Sequence, residues 1–175
     1  MKILTDIDSL NQILLKYKES KIDIGFVPTM GAIHEGHLSL IKLAQKECDL
    51  VICSIFINPT QFNDSNDLKK YPITPENDIK LLKKLSCDIL FKPSINEIYP
   101  HGLATNIYQL EGIDKILEGR KRPGHFDGVC TVVHRLFSII KPKTAYFGEK
   151  DFQQVAVIKK MVNSLSLPIK IKTGK

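Results

Sequence analysis

Two histidines three residues apart, His34 and His37, are the first residues whose types and spacing suggest chemistry. They lie in the string PTMGAIHEGH (28–37), which follows an apolar run and precedes a helical pattern. A helix N-terminus offers free amide groups and a partial positive charge, so imidazoles placed there can help to bind an anion such as phosphate. An isolated His-x-x-His pair is more commonly two surface histidines near a turn. The position between a strand and a helix favours a site.

A second group of polar residues follows the next apolar run. Asn58 and Gln61 belong to the string NPTQF (58–62), where a buried strand is predicted to end. A glutamine amide offers both a donor and an acceptor, so Gln61 can bind a hydroxy acid. The same string also fits an ordinary proline-containing turn, and its residues alone favour neither interpretation.

A third group follows the apolar residues 144–147. Gly148 leaves room for a ligand beside the backbone, and Lys150 supplies a point charge suited to phosphate. Asp151 can either bind a ligand or cap the helix predicted to begin there. Gln154, about one turn into that helix, can reach back over the same edge.

These groups need a scaffold, and the apolar periodicity predicts one. Helical patterns cover residues 6–19, 36–47, 126–140 and 151–165, and Thr74-Pro75 is typical of a further helix start. Short apolar runs at 22–28, 51–57, 88–92, 144–147 and 169–172 predict strands. Such alternation predicts an α/β fold with a doubly wound parallel sheet and helices on both faces. Ligands bind such sheets beyond the carboxyl ends of the strands, where the three polar groups lie.

Composition narrows the class of protein. The 175 residues include 43% hydrophobic residues and carry a formal net charge of +6. No apolar run approaches the roughly 20 residues that a transmembrane helix needs, and no signal-peptide pattern is present. We therefore expect a cytoplasmic protein without a membrane partner. The lysines are scattered and have no interleaved aromatic residues, which argues against nucleic acid as a partner.

Four strings together resemble the pantothenate synthetase (pantoate–β-alanine ligase) family. HEGH (34–37) resembles the HIGH-type signature of nucleotidylyltransferases and class I aminoacyl-tRNA synthetases, and the wider string VPTMGAIHEGH (27–37) is more specific. SIFINPTQF (54–62), RPGHF (122–126) and FGEKDFQQ (147–154) agree with the family in order and spacing. The resemblance runs from about Ile22 to the end of the chain.

The resemblance implies a Rossmann-like fold of the HIGH-type nucleotidylyltransferase class, as a single domain over residues 1–175. It implies an ATP- and Mg²⁺-dependent ligase, usually a homodimer, that joins pantoate to β-alanine through pantoyl adenylate on the way to coenzyme A. The catalytic residues would be His34, His37 and Lys150. The ATP-binding residues would be Met30, Gly31, Ala32, Ile33, His34, Glu35, Gly36, His37, Gly148, Glu149, Lys150 and Asp151. Gln61, His125 and Gln154 would bind pantoate or β-alanine, and Asp78 would contact magnesium.

The sequence also departs from the family pattern. Thr60 stands where methionine is usual, and Ile73 where arginine is common. The family continues into a Ser-Ser-Arg-Asn segment and a C-terminal lid domain, which we expect to be absent from this chain. Two alternatives therefore stay open: a lid-less nucleotide-binding domain without turnover, and a related nucleotidylyltransferase that keeps the nucleotide in its product.

Overall fold

A computed structural model of the chain describes residues 1–18 and 20–174. The described part contains one parallel sheet in the order β1-β4-β3-β2-β5-β6. Its strands are β1 (Lys2–Leu4), β2 (Ile24–Thr29), β3 (Leu50–Ile55), β4 (Ile89–Phe91), β5 (Thr144–Gly148) and β6 (Lys170–Gly174). The predicted α/β class and parallel sheet are confirmed. The edge strand β1 was not predicted, because it is mostly exposed, whereas all three residues of the equally short β4 are buried.

Helices cover both faces of the sheet, as predicted. They are α1 (Ile7–Lys18), α2 (Glu35–Glu47), α3 (Ser65–Lys70), α4 (Pro75–Lys84), α5 (Ile95–Ile98), α6 (Leu117–Lys121), α7 (His125–Ile140) and α8 (Phe152–Ser164). Buried side chains of α1, α7 and α8 form one core with the sheet, and those of α2 and α4 form the other. The short helices α3, α5 and α6 lie in segments that carried no helical pattern. No described helix has the length and apolarity needed to cross a bilayer.

The strand order creates a switch point between β2 and β5. From β2 the chain moves through β3 to β4, and it then returns to place β5 on the other side of β2. Connections leave the carboxyl ends of β2 and β5 in opposite directions, which opens a crevice between them. The register pairs Gly25 with Thr144 and Phe26 with Ala145, so the two strands are joined only near their beginnings. Beyond these pairs, room remains for a ligand.

Candidate functional site

A cavity of about 460 Å³ lies at this switch point. Its volume is within the range of small-molecule sites. Ten of the residues proposed from the sequence line it: Met30, His34, Gly36, His37, Gln61, Gly148, Glu149, Lys150, Asp151 and Gln154. The structure therefore brings together side chains from three separate strings of the sequence.

The first wall of the cavity is the histidine loop, residues 30–34, together with the first turn of α2. His34 precedes α2 as its N-cap, and its Nδ1 accepts a hydrogen bond from the Gly36 amide at 3.1 Å. A Cβ on residue 36 would lie 2.9 Å from His34 Cε1, so a glycine is needed to seat this ring. Because Nδ1 accepts, a neutral His34 carries its proton on Nε2, which is then the donor available to a ligand.

His37 lies one turn into α2, against His34. The two ring centroids are 4.1 Å apart and the rings are tilted by 34°. Burial, followed by the neighbouring charge of His34, lowers the pKa of His37 to about 4, although Asp78 acts in the opposite direction. His37 is therefore neutral at pH 7. Its Nδ1 is buried without a hydrogen-bond partner among the described residues.

The histidine loop is held from behind by the buried carboxylate of Asp78, on α4. Its two oxygens accept hydrogen bonds from the Ala32 amide at 3.0 Å and the Ile33 amide at 2.8 Å. Gly31 and Ala32 both have positive φ, at 84° and 50°. A left-handed conformation costs a residue such as alanine about 1–2 kcal/mol. Hydrogen bonds to a charged acceptor, worth about 1.5–3 kcal/mol each, outweigh that cost.

This geometry changes two expectations about the loop. Asp78 also accepts the Thr74 hydroxyl proton at 2.9 Å, so both of its oxygens are engaged within the protein. Asp78 and Gly31 line a separate cavity of about 280 Å³, and Asp78 does not line the larger one. The amides of Ala32 and Ile33 face Asp78. The arrangement supports neither a magnesium contact by Asp78 nor direct ATP contacts by these two amides.

Gln61 forms the second wall and is oriented by Asn58, which is fully buried. The Asn58 amide group donates to the Gly128 carbonyl at 3.1 Å and to Gln61 Oε1 at 3.2 Å. A carbonyl oxygen can only accept, so it fixes which end of the Asn58 amide faces it. The oxygen of Gln61 is thereby occupied, and its Nε2 donates one proton to Met30 Sδ at 3.0 Å, which leaves the second N–H at the cavity. Gln61 therefore presents a donor to a ligand, although its sequence left both roles open.

Two hydroxyls complete this network on the side away from the cavity. Asn58 Oδ1 accepts from the Tyr99 hydroxyl at 2.7 Å and from Thr60 Oγ1 at 3.1 Å. Thr60, which departs from the family pattern, thus turns its hydroxyl into the network and does not line the cavity. Asn58 was noted in the NPTQF string without a role, and Tyr99 was not proposed. Their role depends on contacts between residues 41 positions apart, which the sequence does not show.

His125 lies behind Gln61 and does not line the cavity. It begins α7, and its Nδ1 donates to the Gln61 carbonyl at 2.7 Å. Arg122 donates to the other nitrogen, Nε2, at 3.4 Å. Burial is the main cause that lowers the pKa of His125, so the ring is neutral and both nitrogens have partners. In this structure His125 supports the Gln61 backbone, and its predicted contact with an acid substrate stays a prediction.

The third wall is the lysine loop, residues 149–151, with the start of α8. Its three side chains are exposed, and Asp151 occupies the N-cap position of α8 without a capping hydrogen bond from its side chain. Gln154 lines the cavity, and its amide makes no hydrogen bond within the described residues. The neighbouring Gln153 is engaged elsewhere, since it bonds Glu118, Ile113 and Ile116. Gln154 is therefore the glutamine available to a ligand.

An apolar wall from α7 closes the cavity. It consists of Val129, Val132, Val133 and Leu136, with Phe56, Leu40 and Phe147 nearby, and none of these was proposed as a site residue from the sequence. The signal that could have revealed this wall is the breadth of the apolar face of α7. Eleven of the sixteen residues of α7 are buried, which is more than a helix needs to bury when it packs only against one face of a sheet. Tyr71 also lines the cavity, and burial raises its pKa.

Few of the described side chains could hold a metal ion at the cavity. Within the described residues, no group of three histidine, cysteine, aspartate or glutamate side chains could hold a metal ion. Magnesium commonly binds through one or two carboxylates together with substrate phosphates. Glu149 and Asp151 are the exposed carboxylates on the cavity wall that fit such a shared site.

Comparisons with known proteins agree with the site. The sequence profile of the pantoate–β-alanine ligase family matches residues 2–175. Pantothenate synthetases of Porphyromonas gingivalis and Buchnera aphidicola subsp. Schizaphis graminum are 48% and 51% identical over 171 and 172 residues. These matches cover 98% of this chain and 60% of each relative, so the chain spans less than two thirds of their length.

Two solved structures are similar throughout. The pantoate–β-alanine ligase of Francisella tularensis, complexed with β,γ-ATP and β-alanine, gives a TM-score of 0.94 at 48% identity. The match covers 99% of this chain and 66% of that one. The pantothenate synthetase of Thermus thermophilus gives a TM-score of 0.89 at 40% identity, over 99% of this chain and 61% of that one.

Proposed function

The chain belongs to the pantoate–β-alanine ligase family, and on that premise we propose that it condenses pantoate with β-alanine in an ATP-dependent reaction. The observation that carries the proposal is the single cavity shared by the histidine pair, Lys150, Gln61 and Gln154. The related Francisella tularensis enzyme, of known structure with a nucleotide and β-alanine, supports the same substrates for this chain.

The proposed reaction has two steps. A pantoate carboxylate oxygen attacks the α-phosphorus of ATP, which releases pyrophosphate and forms pantoyl adenylate. The β-alanine amine then attacks the activated carbonyl, AMP leaves with the acyl oxygen, and a proton is released. Both steps join charged partners, so the protein has mainly to align them and stabilise the charge that develops.

We assign different walls of the cavity to different parts of the substrates. His34 presents Nε2–H at the N-terminus of α2, and His37 is a neutral ring beside it, so we assign both to the α-phosphate oxygens. Lys150 supplies a positive charge from the opposite wall. We assign Gln61, with its donor directed at the cavity, and Gln154 to pantoate oxygens. The apolar wall of α7 suits the dimethyl carbon of pantoate.

Magnesium, when bound with ATP, would neutralise phosphate charge, and we propose Glu149 and Asp151 as the residues that could share it. We also propose a cytoplasmic location and a homodimer, both supported by the family resemblance alone.

The test is pyrophosphate release from ATP, magnesium and pantoate, with and without β-alanine. We expect release to be sustained only when β-alanine is present. His37→Ala should reduce the rate about a hundredfold, as expected for loss of one transition-state donor. His101→Ala is the matched control, because His101 is exposed and does not line the cavity.

Other outcomes separate the alternatives. A single burst without turnover would support binding and adenylation by a lid-less domain. Transfer of AMP to another acceptor, with no need for pantoate, would support a nucleotidylyltransferase. Failure to bind both ATP and pantoate in calorimetry would reject the proposed function for this chain.

A further inference from the structure

The carboxylate of Asp78 stands out because it is charged and buried, yet makes no ion pair within the described residues. Its exposed fraction is 2%, and its hydrogen bonds come from two backbone amides and one hydroxyl. Burying a charge in this way is costly unless the charge is fully hydrogen-bonded. Its partners in the histidine loop, Ala32 and Ile33, directly precede His34.

We propose that Asp78 is a positioning residue, which holds the histidine loop in the conformation that binds phosphate and acts through the backbone, not as a magnesium ligand. The proposal deepens the proposed function and rests on it for its effect on ATP. Its effect on the loop can be measured without any ligand.

The geometry of the loop supports this role. Gly31 and Ala32 are consecutive residues with positive φ, a conformation that a free alanine rarely adopts. Asp78 Oδ2 and Oδ1 bind the two amides that immediately follow the turn. A Cβ on residue 31 would lie 3.1 Å from Asp78 Oδ2, so the glycine allows the carboxylate to approach this closely.

The same contacts leave little of Asp78 for a metal. Thr74 and Ile33 both donate to Oδ1, and Ala32 donates to Oδ2. These three bonds fill three of the roughly four acceptor sites of the carboxylate, so a cation would find one site at most, on Oδ2, unless it displaced an amide. The network also joins Thr74, next to the cavity-lining Tyr71 segment, to the histidine loop. One carboxylate thus fixes two segments beside the cavity relative to each other.

The experiment measures amide hydrogen exchange at Ala32 and Ile33 in the unliganded 175-residue chain, and ATP binding across a magnesium series. In Asp78→Asn, one charged acceptor is replaced by an amide with a single oxygen. We expect exchange at these two amides to accelerate at least about tenfold, and ATP binding to weaken about tenfold. The magnesium concentration needed for half-maximal ATP binding should not change. Glu76→Gln, an exposed acid on the same helix, is the matched control and should change neither measurement.

The outcomes distinguish this proposal from its rivals. Unchanged exchange in Asp78→Asn, or a raised magnesium requirement with unchanged exchange, would overturn it. If the parent chain binds no ATP, the proposed function fails, but the exchange rates still decide the role of Asp78. If Asp78→Asn does not fold, the same exchange measurement on Thr74→Val tests the proposal, since Thr74 and Ile33 both donate to Asp78 Oδ1. A few-fold faster exchange at Ile33 supports the proposal, and an unchanged rate contradicts it.

Discussion

The histidine loop and the lysine loop follow neighbouring strands and face the same cavity, but they are built differently. In the histidine loop, backbone amides are held by the Asp78 carboxylate and by Thr29 Oγ1. In the lysine loop, the Glu149 and Asp151 amides bond only backbone carbonyls, at 3.0 and 3.2 Å, and the side chains are exposed. One loop is therefore held by side chains from outside it, and we expect ligand binding to restrict the exposed side chains of the other. Such ordering reduces affinity.

The largest expected effect is on the free energy of unfolding, and it comes from His37, next to the histidine loop. The unfolded chain protonates His37 near pH 6.5, whereas the folded chain does so only near pH 4. Between these values the unfolded state binds more protons, so the free energy of unfolding falls as the pH decreases through this window. His37 accounts for up to about 3 kcal/mol of that loss. Urea denaturation from pH 4 to 8 should show a shallower decline for His37→Asn, with a constant difference from the parent above pH 7.5. Parallel curves throughout would show that His37 is not the buried neutral base described here.

A smaller effect is expected at the lysine loop. It concerns the affinity for ATP and not the free energy of unfolding. Lys150→Ala should weaken ATP binding about tenfold through loss of one phosphate contact, with less effect at high salt. The free energy of unfolding should change by less than about 0.5 kcal/mol, because Lys150 is exposed. Calorimetry and urea denaturation measure the two quantities, and Lys159→Ala, an exposed lysine on α8 away from the cavity, is the control. If Lys150→Ala lowered the free energy of unfolding by as much as it weakened the free energy of ATP binding, the contrast between the two loops would be contradicted.

The smallest effects should appear at the two helix caps. His34 caps α2 with its side chain, so His34→Ala should destabilise the chain by about 1 kcal/mol. Asp151 holds the same position on α8 without such a bond. Asp151→Ala should therefore lower the free energy of unfolding by only about 0.3 kcal/mol. Equal losses in denaturation midpoints would mean that Asp151 caps its helix in solution after all.

The contrast also explains what the sequence could and could not predict. The alternation of strands and helices predicted the sheet and five of its six described strands, because each of these five forms a short apolar run. The position of His34 at a helix start was predictable for the same local reason. Strand order is not local, so the sequence did not show the switch point between β2 and β5.

Contacts between distant segments are the part of the site that the sequence could not show. Asp78 was expected to contact magnesium, and nothing in residues 74–78 shows the loop 45 positions away. His125 was placed in the site because a family motif identifies a position without the direction of its side chain. Thr74 does precede α4, but its hydroxyl binds Asp78 and does not cap the helix.

The place of β1 at the far edge of the sheet has a consequence for synthesis. This strand pairs with β4, and the Lys92 amide donates to the Leu4 carbonyl at 2.8 Å across the 88 positions from residue 4 to residue 92. The bond from Thr29 to Ser54, between β2 and β3, spans only 25. At a ribosomal rate of about 5–20 residues per second, β1 waits unpaired for on the order of 5 to 20 seconds. Its shortness and the charge of Lys2 limit what it can pair with wrongly during that time.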